Sequence, residues 1–333
     1  MECYQVKKTI PKGFRTLAIM NNINRPYATN PEHHPPFLKH GSVIGITCPS
    51  SFVPQERVDY CIKVLNHWGF EVREGNTIGT EHFYFSGTDE ERLADLQDMM
   101  DDDTIDAILM GRGGYGMSRI IDGLDFTAFL RKPKWICGFS DIAVLHNHIH
   151  ANYGIATLHS PMCGHFKPET EQQEFLKTFY AALTGETIHY HTPHSPYNRI
   201  GATDGIVTGG NLAILAHLTG SVSEVDTAGK ILFIEDVGEY LYNADRMMMN
   251  LKRAGKLDNL KGILFGGFTD MQDTERPFGQ SIEEILWDKV KEYDYPVCFN
   301  FPCGHQDINY TLTLGAKHKL IITENGGHLE LMR

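Results

Sequence analysis

Short apolar runs and amphipathic segments alternate along the chain from Ser42 onward. The run "VIGIT" at Val43–Thr47 predicts a buried strand, and Val58, Ile62 and Leu65 then recur on one face of a predicted helix. The runs "IDAILMG", "KWICG" and "GIATLHS" predict further strands, with helical patterns between them. This alternation predicts a parallel sheet with helices on both faces, whose chemistry lies at the carboxyl ends of its strands.

The pattern divides the chain into four segments. Residues 1–40 carry scattered Pro, Asn and His and predict an irregular arm, whereas 41–165 form an alternating N-terminal domain. Periodicity breaks over 166–200, which we interpret as a linker. Apolar runs such as "KILFIED" and "GILFGGF" resume in 201–333, which ends in a predicted hairpin at 325–327. The sequence therefore predicts an α/β protein, with an N-terminal parallel-sheet domain and a C-terminal α/β domain rich in strands.

Composition excludes several functional classes. The 333 residues have a net charge of −12 with no basic stripe, which argues against nucleic-acid binding. Seven cysteines without a C-x-x-C pair fit a reducing compartment. No apolar run approaches the roughly 20 residues of a membrane helix. The first residues lack a signal-peptide pattern, with Met20 open as an alternative start, so we expect a cytoplasmic protein with no membrane partner.

Ser140 lies where a predicted strand turns directly into a predicted helix. Such a serine can be a nucleophile whose hydroxyl is exposed on a tight elbow, and the N–H of Asp141 would then donate one oxyanion hydrogen bond. The serine can equally be a simple N-cap, which is the commoner role of serine at a helix start. The local sequence leaves both interpretations open.

A glycine-rich stretch, "MGRGGYGMSRI" at 110–120, follows another predicted strand. It lacks the spacing and the lysine of a phosphate loop, and it does not fit the dinucleotide fingerprint. The N–H of Gly113 or Gly114 is better suited to be a second oxyanion donor. Arg112 can hold a substrate carboxylate, or it can form an ion pair with a nearby acid.

Two later positions carry candidate chemistry. Glu235 and Asp236 end an otherwise apolar strand, where a carboxylate either caps the next loop or orients a histidine. His305 lies in a glycine-containing turn between two strand-like runs.

Three histidines, at 146, 148 and 150, fall on one predicted helix. His146 and His150 are spaced as zinc ligands can be, but Asn147 stands where a zinc peptidase has its glutamate. We interpret them as histidines of a surface helix and expect no metal and no cofactor.

Six motifs occur in a fixed order along the chain. They are "PSS" at 49–51, "GRGGYG" at 111–116, "GFSDI" at 138–142, "GGNL" at 209–212, "FIED" followed by "YNADRM", and "GH" at 304–305. In this order the chain resembles the LD-carboxypeptidase family of serine peptidases, which also contains the microcin C immunity peptidases.

The resemblance implies a catalytic triad of Ser140, Glu235 and His305, with Ser140 as nucleophile. It also implies that the serine lies in the first domain and its two partners in the second, so that the active site occupies the cleft between the domains. A homodimer is expected on the same ground.

Substrate-binding roles are expected for Arg112, Tyr115 and Ser160. The family often has H-G-P-M where this chain has "HSPM" at 159–162, so Ser160 stands in place of a glycine and can narrow the cleft.

The implied function is removal of the terminal D-alanine from cytoplasmic murein tetrapeptide during peptidoglycan recycling, by a Ser-His-Glu acyl-enzyme mechanism. The alternative is a microcin-immunity peptidase that cleaves aminoacyl-nucleotide amides, which needs an aromatic platform near His305. Only Phe301 and Tyr310 lie close by in sequence. A non-catalytic binding protein is disfavoured by the intact triad, and the preferred diamino acid stays open.

Overall fold

The computed structural model describes residues 34–170 and 173–332. Its strands are β1 (Val43–Thr47), β2 (Glu71–Glu74), β3 (Ala107–Met110), β4 (Trp135–Gly138), β5 (Thr157–His159), β6 (His189–Thr192), β7 (Gly201–Asn211), β8 (Ile231–Val237), β9 (Gly262–Thr269), β10 (Val297–Cys298), β11 (Leu312–Leu314), β12 (Lys317–Thr323) and β13 (Gly326–Leu331). Its α-helices are α1 (Gln55–His67), α2 (Asp89–Asp101), α3 (Met117–Ile120), α4 (Thr127–Arg131), α5 (Ala143–Tyr153), α6 (Glu174–Thr184), α7 (Leu212–Leu218), α8 (Leu241–Arg253) and α9 (Ile282–Val290).

These strands form two sheets. The first has the order β11-β5-β4-β3-β1-β2, in which all neighbours are parallel except the antiparallel β11. The second has the order β10-β9-β8-β7-β12-β13-β6, with parallel pairing from β7 to β10 and antiparallel pairing beyond β7. The predicted α/β class and the parallel N-terminal sheet are confirmed.

The central strands form where the sequence is continuously apolar. All four residues of β3 and all four of β4 are buried, as expected for parallel strands that helices cover on both faces. Helix α2 begins at a capping box in which Thr88 and Glu91 satisfy each other's backbone N–H groups. The predicted hairpin is confirmed, since β12 and β13 pair in antiparallel register up to Thr323 opposite Gly326.

The segment 166–200 differs from the linker that we expected, because it contains α6 and β6. Phe175, Phe179 and Leu183 are buried along one face of α6, and Tyr190 of β6 is also buried. The apolar face of α6 is therefore part of the core. The exact domain boundaries remain a prediction, and residues 1–33 of the predicted arm lie outside the described residues.

One strand crosses from the C-terminal half into the first sheet. Leu312 of β11 pairs with His159 of β5, and Leu314 pairs with Thr157. The first sheet is therefore completed by residues that come after His305 in the chain.

The three histidines of α5 are not on a surface, and that interpretation was wrong. His146 is fully buried and bonds the carbonyl oxygen of Gly138 at 2.9 Å, while His148 is also buried and contacts Ser223. Helix α5 lies between elements of both sheets, so both of its faces are covered. No helix in the described part of the chain is long and apolar enough to cross a membrane.

Candidate active site

The strand β4 ends in a strained turn that carries Ser140. Phe139 is extended and buried, and Ser140 then takes φ 64°, a left-handed conformation that is unfavourable for a residue with a Cβ atom. The turn continues as a 3₁₀ segment, Ser140–Ile142, directly into α5. Such strain at a strand-to-helix turn is typical of a nucleophilic serine whose hydroxyl is exposed to the substrate. Ser140 is only partly buried, in agreement with this role.

Gly113 lies against the Ser140 side chain. A Cβ atom on Gly113 would lie 2.9 Å from Ser140 Cβ and 3.1 Å from its Oγ, so only glycine fits there without displacement. Within the described residues, the N–H groups of Gly113, Gly114 and Asp141 donate to no protein acceptor. These free N–H groups are compatible with the predicted oxyanion hole, in which either glycine can be the second donor.

Glu235 and His305 form a hydrogen-bonded pair. Glu235 is fully buried near the end of β8, and its Oε2 accepts from the backbone N–H of His305 at 3.0 Å and from its Nδ1 at 2.7 Å. Gly304 has φ 107°, and a Cβ there would lie 2.7 Å from Glu235 Cβ, so the turn needs glycine for both reasons. With Nδ1 donating to Glu235, the neutral ring presents its lone pair on Nε2, as a general base requires.

The two halves of the site meet around Phe139. Its ring centroid lies 4.7 Å from that of His305, and the next residue is Ser140. Helix α5 packs on β7, where Asn147 donates to the carbonyl oxygen of Gly209 at 3.2 Å. The neighbour of β7 is β8, which carries Glu235. The topology therefore brings all three predicted triad residues to one side of the interface between the sheets.

The Glu235 carboxylate favours the protonated form of the His305 imidazole. Burial alone lowers the pKa of His305, but the hydrogen bond and the negative charge of Glu235 outweigh it and raise that pKa above its ordinary value. The carboxylate would thus stabilise an imidazolium at His305 if this residue acts as the predicted base.

We expect this raised pKa to appear in the pH dependence of hydrolysis. A protonated His305 cannot accept the serine proton, so kcat/KM should fall as pH decreases, with a midpoint above the ordinary value of 6.5. The pH profile of kcat/KM measures this directly. A midpoint at or below 6.5 would contradict the pairing, and Glu235→Gln should move the midpoint of any residual activity downward.

Sequence reasoning missed a network that supports the serine turn. The buried Oδ2 of Asp141 accepts from Ser50 Oγ at 2.6 Å and from the backbone N–H of Met117 at 2.8 Å. Arg92 is buried on the apolar face of α2 and donates to the carbonyl oxygens of Pro49 and Gly116. These bonds tie the "PSS" loop and the glycine-rich loop to the turn. The detectable signal was an arginine at helical spacing with Leu96 and Met99, where an apolar residue is expected.

The three residues expected to bind substrate differ in placement. Arg112 is exposed and donates to the carbonyl oxygen of Phe52 at 2.9 Å, and within the described residues it forms no ion pair. Tyr115 is 47% exposed on the same loop. Ser160 requires a correction, because it is fully buried and its hydroxyl donates to the carbonyl oxygen of Pro161. It therefore has no surface that a substrate can contact.

A methyl group on Gly113 should damage catalysis more than folding. Gly113→Ala is expected to lower kcat/KM roughly 100-fold, as loss of one oxyanion donor does, because the new Cβ displaces either Ser140 or the loop. Steady-state kinetics and a thermal melt measure the two effects. Gly164→Ala is the matched control, since a Cβ there meets nothing within 4 Å. Equal activity of both variants would place the oxyanion hole elsewhere.

Among the described residues, one group of His, Cys, Asp or Glu side chains is arranged so that it can share a metal ion. It comprises His189, His328 and Glu330, on β6 and β13 at the far edge of the second sheet from the triad.

Comparison with known proteins decides the family. The LD-carboxypeptidase N-terminal domain model matches residues 44–160, and the LD-carboxypeptidase C-terminal domain model matches residues 204–320. The chain belongs to the LD-carboxypeptidase family. It is therefore a serine-type carboxypeptidase, as the six motifs predicted.

Its relatives include proteins of both functional groups in the family. A probable murein peptide carboxypeptidase of Bacillus subtilis is 35% identical over 301 residues, which are 90% of this chain and 94% of that protein. The murein tetrapeptide carboxypeptidase of Pseudomonas aeruginosa is 29% identical, over 79% of this chain and 87% of its own. The microcin C7 self-immunity protein MccF of Escherichia coli is 27% identical, over 84% and 90%.

Solved structures share the fold. The muramoyltetrapeptide carboxypeptidase of Oxalobacter formigenes matches with a TM-score of 0.76 and 25% identity, over 87% of this chain and 99% of its own. MccF in complex with glutamyl sulfamoyl guanosine matches with a TM-score of 0.79 and 24% identity, over 90% and 98%. The predicted arrangement of two domains agrees with these structures.

Proposed function

We propose that this enzyme is an LD-carboxypeptidase that removes the terminal D-alanine from murein tetrapeptide. The observation that carries the proposal is the 2.7 Å hydrogen bond from Nδ1 of His305 to the buried Glu235 carboxylate, beside the strained turn of Ser140. The names of the Bacillus and Pseudomonas relatives support the same substrate class.

In the proposed mechanism Ser140 is the nucleophile. His305 Nε2 takes the proton from Ser140 Oγ as the oxygen attacks the carbonyl carbon at the L-centre of the diamino acid. The C–N bond to D-alanine then breaks, and His305 gives its proton to the leaving amine. Water attacks the resulting ester with His305 again as base, which releases the tripeptide and regenerates the serine.

The backbone around the serine stabilises the charge that develops. In the tetrahedral intermediate the carbonyl oxygen becomes an oxyanion that accepts from Asp141 N–H and from the N–H of Gly113 or Gly114. Each such donor contributes about 3–4 kcal/mol to the transition state. Because the donors belong to one strained turn and one glycine-rich loop, they need no reorganisation during the reaction.

Arg112 is our candidate for the terminal carboxylate of the substrate. Its guanidinium is exposed on the glycine-rich loop and is bonded only to a neutral carbonyl within the described residues, so its charge is available to an anion. Tyr115, exposed next to it, is proposed to contact the peptide.

The proposal includes a cytoplasmic location and a homodimer. The six described cysteines are buried free thiols, which agrees with a reducing compartment where murein fragments would be recycled. The dimer rests on the family resemblance alone, and sedimentation of the purified protein tests it.

Microcin-immunity activity is the alternative, supported by the similarity to MccF. It would need an aromatic side chain near His305 on which a base can stack. Phe301 is 1% exposed in the core and Tyr310 is only partly exposed, so neither offers the open face of its ring. The murein substrate is therefore the better supported of the two.

Release of free D-alanine from L-Ala-γ-D-Glu-meso-diaminopimelate-D-Ala tests the proposal. We expect release by the purified enzyme over many turnovers, unchanged by EDTA, and much slower hydrolysis of an aminoacyl-sulfamoyl-adenosine assayed in parallel. Cleavage of the nucleotide analogue without D-alanine release would favour the alternative. Release abolished by EDTA would overturn the serine mechanism.

A further inference from the structure

The edge of the second sheet carries an unusual set of imidazoles. The stretch "HYHT" forms β6, and His189 and His191 alternate there with buried residues, so both project from the same face. On the neighbouring strand β13, Glu330 pairs directly with His189, and His328 pairs with His191. Cross-strand partners have Cβ atoms roughly 4.5–5.5 Å apart, so all four side chains lie within mutual reach.

Three of these side chains converge. One ligand atom from each of His189, His328 and Glu330 lies within 4.8 Å of the other two, and His328 Nε2 is 3.8 Å from Glu330 Oε2. The His328 ring lies between the other two imidazoles, with ring centroids 5.8 Å from His189 and 4.9 Å from His191. Nδ1 of His328 is buried with no hydrogen-bond partner within the described residues.

We infer that His189, His328 and Glu330 form a binding site for a divalent transition-metal ion of the zinc type. Two imidazoles and one carboxylate are ligands that Zn²⁺ accepts in tetrahedral sites, with water or a further ligand in the fourth position. The His191 ring packs against that of His328 at an interplanar angle of 38°, outside the group of converging ligand atoms, so water is the expected fourth ligand.

The three ligand atoms need to move only a short distance towards one another to bind the ion. Zinc–nitrogen distances of about 2.0–2.1 Å place tetrahedral ligand atoms about 3.4 Å apart, so the present 4.8 Å limit must shrink by roughly 1.4 Å at most. His189 is exposed and Glu330 is partly exposed, so rotation of these side chains provides the movement. On its other side Glu330 has Lys319 of β12 as its cross-strand partner, whose positive charge would compete with the ion for the carboxylate. We therefore expect the two histidines to contribute more affinity than Glu330.

A metal at this position would not belong to the catalytic chemistry. In the sheet order, β13 lies three strands away from β8, which carries Glu235. The bound ion would join the edge strand β6 to β13 through side chains, in addition to their backbone hydrogen bonds. It would therefore stabilise an exposed edge that is otherwise free to pair with another chain.

Zinc titration of the EDTA-dialysed full-length protein tests the site. Calorimetry with ZnCl₂ should show a site that His328→Gln and His189→Gln each weaken at least tenfold, because even the outer partners of metal ligands are worth about 10–100-fold in affinity. His67→Gln, at the exposed end of α1, is the matched control and should change affinity less than twofold. Circular dichroism of each variant confirms folding.

The visible absorption spectrum of the Co²⁺-loaded protein gives a second readout. The wild type should show the intense bands of tetrahedral cobalt, and His328→Gln should lose them. Zinc affinity that is equal in wild type, His328→Gln and His189→Gln would overturn the inference, because a site elsewhere in the chain survives both substitutions. D-alanine release plays no part in this test, so its failure and that of the proposed function are distinguishable.

Discussion

Ser140→Ala is expected to lower kcat for D-alanine release by at least about 10⁴-fold while leaving KM and the melting temperature nearly unchanged. Without Oγ no ester can form, and only the oxyanion donors and substrate binding still accelerate the reaction. The alanine keeps a Cβ atom and therefore the same backbone strain at φ 64°. Initial rates with excess tetrapeptide, together with a thermal melt, measure both quantities.

Two further variants make this result specific. Ser118→Ala replaces a partly buried serine on α3 of the same domain and should retain full activity. Ser140→Gly should be as inactive as the alanine variant but more stable by about 1 kcal/mol, because glycine adopts positive φ without penalty. If Ser140→Ala kept more than a tenth of the activity, another nucleophile would have to be sought.

Glu235→Gln is expected to lower kcat by on the order of 10⁴-fold with the protein still folded. The amide is neutral and no longer favours the imidazolium of His305. Its amide oxygen can take the place of Oε2, which accepts both hydrogen bonds from His305, so its NH₂ group takes the place of Oε1. Since Oε1 has no partner among the described residues, the amide NH₂ group would be buried unsatisfied, at a cost of about 1–3 kcal/mol in unfolding free energy.

The neighbouring Glu239→Gln is the control for this substitution. Glu239 lies just beyond β8 and bonds Asn243 at 3.1 Å, without contact to His305, so its variant should be fully active. Activity of Glu235→Gln within tenfold of the wild type would show that His305 is oriented by a different group. Chemical denaturation of both variants separates the stability effect from the catalytic one.

Much of this architecture could be predicted because local pattern and tertiary environment agree. The runs that became β3 and β4 are apolar throughout, and parallel central strands are buried on both faces. The turn at Ser140 was predictable for a related reason, since a strand that runs directly into a helix leaves its junction at the carboxyl edge of the sheet.

The remaining features depend on contacts that have no local signature. The sequence "LTL" of β11 is that of an ordinary strand. Nothing in it shows that β11 pairs with β5 in the first sheet and not with a strand of the second. The histidines of α5 resemble a solvated face until their partners Gly138, Ser223 and Thr157 are seen, and Ser160 resembles a cleft residue until its burial is known. Six ordered motifs predict the triad, but a motif does not show that the Asp141 side chain bonds Ser50 and the backbone of Met117.

The late position of β11 has a consequence for synthesis on the ribosome. The first sheet lacks one of its edge strands until Leu312–Leu314 have left the exit tunnel, although its other five strands end at His159. Domains that emerge first usually fold first. Here the sheet that carries Ser140 is completed only near the end of synthesis, and His305 precedes the closing strand by only seven positions. A nascent chain therefore acquires His305 and its final edge strand nearly together, so we expect a translation product truncated before Leu312 to lack activity.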